Sequence, residues 1–125
     1  MTRFELEETS NTPYIVFDSE ANKFAIEGKS FPEDSKEFYR KVIDWMEQYK
    51  AEKPANLALS FNLFYLSSSS IISVKQLLLK LVDLQNAGTK VSVTWKYDHD
   101  DDDIKKTGED YQQLTKLNFV YKVNV

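Results

Sequence analysis

The stretch from Asn56 to Tyr97 constrains this chain more than any other. Asn56-Leu-Ala-Leu-Ser-Phe-Asn-Leu-Phe-Tyr-Leu66 reads as an interior strand. Ile71-Ile-Ser-Val-Lys-Gln-Leu-Leu-Leu-Lys-Leu-Val-Asp-Leu84 reads as the body of a helix, expected over about Ser70 to Asn86. Gly88 then supplies a left-handed residue to end it. Thr89-Lys-Val-Ser-Val-Thr-Trp-Lys-Tyr97 reads as a second strand. Strand, helix and strand in succession imply a right-handed parallel crossover. The first strand is largely apolar rather than strictly alternating, which predicts burial on both faces. The helix has a narrow polar stripe of Ser73, Gln76, Lys80 and Asp83, so most of its surface is expected inside.

The flanking segments fit around this unit. Phe4-Glu-Leu-Glu alternates like a short strand, and Asn11-Thr-Pro reads as a turn. Tyr14 to Asp18 and Lys23 to Glu27 flank a polar tetrapeptide and predict a β-hairpin, with Gly28 releasing the chain. A helix is expected near Asp34 to Lys50, with Phe38, Val42, Trp45, Met46 and Tyr49 as its apolar stripe and Pro54 beyond its end. A third helix, about Asp103 to Lys116, has a weaker face of Ile104, Tyr111 and Leu114, and Asp101 to Asp103 complement its dipole. Asn118 to Val125 alternates as a last strand. The expected fold is a single α/β domain over residues 1–125, a mixed sheet with helices packed against it.

Composition removes several function classes. The chain has 125 residues, enough for one core, with eight Phe, seven Tyr and two Trp. No cysteine is present, so disulfides and thiolate chemistry are excluded. Net charge is −4 and no basic stripe exists, which argues against nucleic acid as a partner. No stretch approaches the ~20 apolar residues of a membrane span, and the N-terminus has no apolar signal region. The cytoplasm is the expected location.

Four serines, Ser67 to Ser70, join the central strand to its helix. In α/β sheets, sites lie at the carboxyl ends of strands. Hydroxyls at a helix N-terminus meet outward-pointing N–H groups and a positive dipole end, where a phosphate is favoured. The same serines also suit a simple N-cap. A hydrolytic triad is disfavoured. The sole histidine, His99, lies in an acidic loop, and no glycine elbow surrounds Ser68. Asp98, Asp100, Asp102 and Glu109 fall at positions 1, 3, 5 and 12 of a calcium-loop template. The turn glycine is replaced by Asp103 and a strand precedes the loop, so a solvated acidic loop is expected and no metal. No glycine-rich phosphate loop exists, and no cofactor is expected.

Several motifs together carry a resemblance. They are Ser30-Phe-Pro-Glu-Asp34, Phe38-Tyr39, Val42-Ile-Asp-Trp45, Phe64-Tyr-Leu-Ser-Ser-Ser-Ser-Ile71, Trp95-Lys-Tyr-Asp98 with the acidic run, and Gly108-Glu-Asp-Tyr111. In order and spacing, from about Thr12 to Phe119, they resemble the SiaC family of bacterial regulatory phosphoproteins. That family is similar in fold to STAS domains, the anti-sigma-factor antagonists. The resemblance implies a non-enzymatic switch. A GHKL-type kinase would phosphorylate one hydroxyl at the strand–helix junction, and a PP2C-type phosphatase would remove the phosphate. The unphosphorylated form would bind a target such as a diguanylate cyclase. The family pattern reads Tyr-Leu-Asn-Thr-Ser-Ser, with the Thr modified. Its Asn falls on Ser67 and its Thr on Ser68. Ser68 keeps a phosphorylatable hydroxyl, with Ser67, Ser69 and Ser70 as neighbouring alternatives. Two other readings stand beside this one: a constitutive interaction subunit whose serines only cap a helix, and a small metal-dependent enzyme using the acidic loop.

Overall fold

The computed structural model describes all residues from Met1 to Val125. Six strands form one sheet in sequential order: β1 (Phe4–Leu6), β2 (Tyr14–Asp18), β3 (Lys23–Ser30), β4 (Asn56–Leu66), β5 (Lys90–Asp98) and β6 (Asn118–Asn124). The first three pair antiparallel, and β3 through β6 pair parallel, so the sheet is mixed as expected. Three helices, α1 (Ser35–Lys50), α2 (Ser68–Asn86) and α3 (Asp102–Thr115), make the parallel crossovers. Because the strands follow in order and such crossovers are right-handed, all three helices fall on one face.

That arrangement corrects the expectation for β4. Leu57, Leu59, Phe61 and Leu63 are buried against the helices, whereas Ala58 and Phe64 are exposed and Ser60 and Asn62 half-buried. The strand alternates after all. Ala58 and Phe64 are apolar residues on the uncovered face, which hid the period.

The helix ends follow from local chemistry. Asp34 caps α1 by accepting the Glu37 N–H at 3.1 Å, and Asp101 caps α3 by accepting the Ile104 N–H at 3.0 Å. At the end of α2, Gly88 has φ +113°. Its N–H donates to the Gln85 carbonyl and the Thr89 N–H to the Leu84 carbonyl, both at 3.0 Å, which is a Schellman closure. Gly28 does not release the chain. It sits at a bulge with φ +118°, where the register shifts, and β3 runs on to Ser30.

Burial revises the helix faces too. Tyr39 is fully buried and Phe38 only partly, so the α1 stripe is Tyr39, Val42, Trp45, Met46 and Tyr49 with Ser35. In α2, Ser73 is buried while Ile71, Ile72 and Leu79 are exposed. Leu114 of α3 is exposed, and Gly108 takes its place inside. Trp95 explains this. Its ring lies against Gly108, and its indole N–H donates to the Ile104 carbonyl at 2.9 Å.

Candidate functional site

The four serines occupy four different environments. Ser67 is the N-cap of α2, with extended backbone, and its Oγ accepts the Ser70 N–H at 3.2 Å. Ser68 opens the helix, is exposed, and makes no hydrogen bond through its hydroxyl. Ser69 is exposed beside a groove between α1 and α2 that Lys36, Arg40, Ile72 and Lys80 also line. Ser70 is fully buried. The helix starts two residues earlier than the sequence suggests, because Ser67 caps well and the next two serines are free to point outward.

Ser70 belongs to a buried hydroxyl cluster. Its Oγ lies 2.8 Å from Ser30 Oγ, 3.2 Å from Ser35 Oγ and 3.0 Å from Ser67 Oγ. Ser30 Oγ lies 2.8 Å from the Tyr39 hydroxyl. The cluster therefore ties the end of β3, the first turn of α1 and the first turn of α2 together. The Ser67 N–H also donates to the Ser30 carbonyl at 2.9 Å, which fixes the end of β4 to the end of β3. Every buried side-chain polar atom has a partner. From the other side, Tyr111 of α3 donates its hydroxyl to the Ile71 carbonyl at 2.7 Å. Burial pushes the Tyr39 hydroxyl up to about 12, opposed by the Ser30 hydrogen bond. Tyr111 is raised as well, first by burial and then by the nearby Tyr39. Both phenols stay neutral at physiological pH.

The exposed part of the junction is electrostatically open. The first turns of α1 and α3 contain acidic residues, whereas that of α2 contains none. Its positive dipole end is uncompensated by any carboxylate of its own helix. Around it lies an exposed apolar rim. Phe31 and Tyr65 meet edge to face with centroids 5.6 Å apart, and Ile71 and Ile72 project from the first turn of α2.

The other candidates do not converge. His99 and Asp100 are exposed in the turn after β5. Asp98 accepts from the Asn124 amide at 3.0 Å and Asp101 is the α3 cap, while Asp102 and Glu109 lie along α3. No three His, Asp or Glu side chains come together in metal-holding geometry. Sequence reasoning missed Ser30, Ser35 and Tyr39 as partners of the serine run. The four-residue spacing of Ser35 and Tyr39 was the available signal for one shared helix face.

Comparison with known proteins places these features in context. The family pattern described as SiaC family regulatory phosphoprotein matches residues 6–123. An uncharacterized protein of Pseudomonas aeruginosa strain UCBPP-PA14 is 32% identical over 124 residues, which cover 99% of this chain and 98% of the relative. The crystal structure of apo-SiaC from Pseudomonas aeruginosa superposes with a TM-score of 0.90 at 30% identity, covering 98% of this chain and 100% of the other. A chain in the crystal structure of the diguanylate cyclase SiaD in complex with its activator SiaC, from the same organism, matches with a TM-score of 0.89 at 30% identity, covering 97% of this chain and 99% of that one.

Proposed function

The chain belongs to the SiaC family of regulatory phosphoproteins, and from that premise we propose that it is a phosphorylation-controlled protein-binding switch with Ser68 as its phosphoacceptor. A GHKL-type kinase adds the phosphate and a PP2C-type phosphatase removes it. The unphosphorylated form binds and activates a diguanylate cyclase, the class of target that its relative SiaC activates. The protein acts in the cytoplasm by binding rather than catalysis. No helix is long and apolar enough to cross a membrane.

One observation carries this reading. Ser67 is occupied as a cap, Ser70 is buried and Ser69 Oγ lies 3.3 Å from Ser67 Oγ, so Ser68 alone has a hydroxyl that is exposed and without a hydrogen bond. Ser68 is the one that the resemblance aligns with the family's modified threonine. Its neighbours Phe31, Tyr65, Ile71 and Ile72 form an exposed apolar rim of the kind a partner covers. A phosphate adds about −1.5 to −2 charges at neutral pH. The bare N-terminus of α2 accommodates that charge without unfolding the domain. A partner seated on the apolar rim must desolvate the phosphate or be displaced, and both cost binding energy.

The test is kinase treatment with ATP followed by mass spectrometry and cyclase-binding measurements. Phosphate on Ser68, blocked by Ser68→Ala, and loss of cyclase binding on modification are expected. Modification confined to Ser69 would move the acceptor by one residue. Undiminished binding after full modification would overturn the switch.

A further inference from the structure

Helices cover only one face of the four parallel strands β3 to β6. The opposite face of these strands carries no layer of helices. Along β4 this face carries the small, neutral Ala58, Ser60 and Asn62, ending at Phe64, which is 45% exposed. Charge divides on either side of it. Toward β2 and β3, Glu7, Glu8 and Glu27 line a shallow hollow with Phe64, and none of the three is ion-paired. Toward β5 and β6, Lys96 and Lys122 are direct cross-strand neighbours, also without a carboxylate partner. Like charges directly opposite each other on a sheet are destabilising. Glu27, Asn62, Lys96 and Lys122 lie in one register row across four strands.

We propose that a second copy of this chain covers the open face, related by a twofold axis running along β4. That rotation exchanges the β3 and β5 sides. Neighbouring strands are about 4.8 Å apart, so Glu27 and Lys96 sit at equal distances from β4 on opposite sides. Glu27 of each copy then faces Lys96 of the other. The glutamate hollow comes over Lys122, and Phe64 meets its own counterpart near the axis. The small side chains of Ala58 and Ser60 suit the ~10 Å separation of face-packed sheets. An isologous contact of this kind closes at two copies. Because the axis follows the strand direction, both serine junctions lie at the same end of the dimer, clear of the interface.

Sedimentation velocity of the full chain from about 1 μM to about 500 μM, at low and high salt, tests this directly. The expected result is a concentration-dependent dimer whose dissociation constant rises at least about tenfold in ~0.5 M salt, as screening removes the charge pairing. E8K/E27K and K96E/K122E should each be monomeric with unchanged circular dichroism, and an equimolar mixture of the two should recover the dimer. A monomer at every concentration overturns the proposal and leaves the face to a partner of different sequence. A dimer that both variants retain, or variants that stay monomeric when mixed, would likewise overturn it.

Discussion

Four identical residues in a row have four different fates, separated by burial and by hydrogen bonding. Ser70 has hydroxyl neighbours on three elements, so Ser70→Ala leaves Ser30, Ser35 and Ser67 short of a partner. Chemical denaturation should show a loss of about 1–3 kcal/mol. Ser69→Ala removes an exposed hydroxyl and should stay within about 0.5 kcal/mol of the parent. If the two variants proved equally stable, the buried cluster would have no part in holding the junction. Tyr39 adds a pH signature. Its hydroxyl is raised from 10.0 to about 12 by burial, so the folded state holds that proton more tightly than the unfolded chain. The corresponding stability is complete below pH 10 and is lost as pH rises toward 12. Tyr39→Phe should make that alkaline decline shallower, measured as midpoint against pH. Tyr111, Tyr14, Tyr49 and Tyr121, also raised, retain the rest of the slope.

At the scale of elements, α3 shows how one missing side chain sets a helix's position. A Cβ at Gly108 would stand 2.5 Å from the Trp95 ring, which is fully buried and bonded to the Ile104 carbonyl. Gly108→Ala should therefore cost about 1–3 kcal/mol by overpacking, although alanine is the better helix former. It should also disturb the Tyr111 bond to the Ile71 carbonyl, which reaches the first turn of α2. Amide exchange at Ser70 and Ile71 would report that coupling. Leu114, 57% exposed on the same helix, provides the contrast. Leu114→Ser should change stability by less than about 0.5 kcal/mol. A large loss there would mean that α3 is rotated from the position described.

Across the whole molecule, the helices lie on one side of the sheet and the serine junction at one end, so a phosphate placed at Ser68 would face outward rather than into the core. Each ~1.4 kcal/mol of added penalty weakens binding about tenfold. Phosphorylated protein should therefore bind the cyclase at least tenfold more weakly, with Ser68→Asp intermediate because it adds less charge and fewer acceptor oxygens. Titration calorimetry with modified and unmodified protein reads this. Equal affinities would restrict the junction to a capping role.

The order of elements was legible because hydrophobic periodicity and caps are local properties. The parallel unit from Asn56 to Tyr97, the Gly88 stop and the acidic start of α3 are all encoded within a few residues of where they act. The serine run was legible as a junction for the same reason. Its internal division was not. That Ser70 is buried depends on Ser30 and Ser35, 40 and 35 positions away, and on Tyr39, which bonds Ser30; they come together only when β3, α1 and α2 assemble. The uncovered face was likewise beyond local reading, since apolar Ala58 and Phe64 on the outside of β4 look like core in a one-dimensional pattern. The sequence determines which segments are strand and helix because those choices are made by neighbours in the chain. Tertiary structure decides which hydroxyl is free and which face is open, because burial is set by residues that neighbour one another only in space.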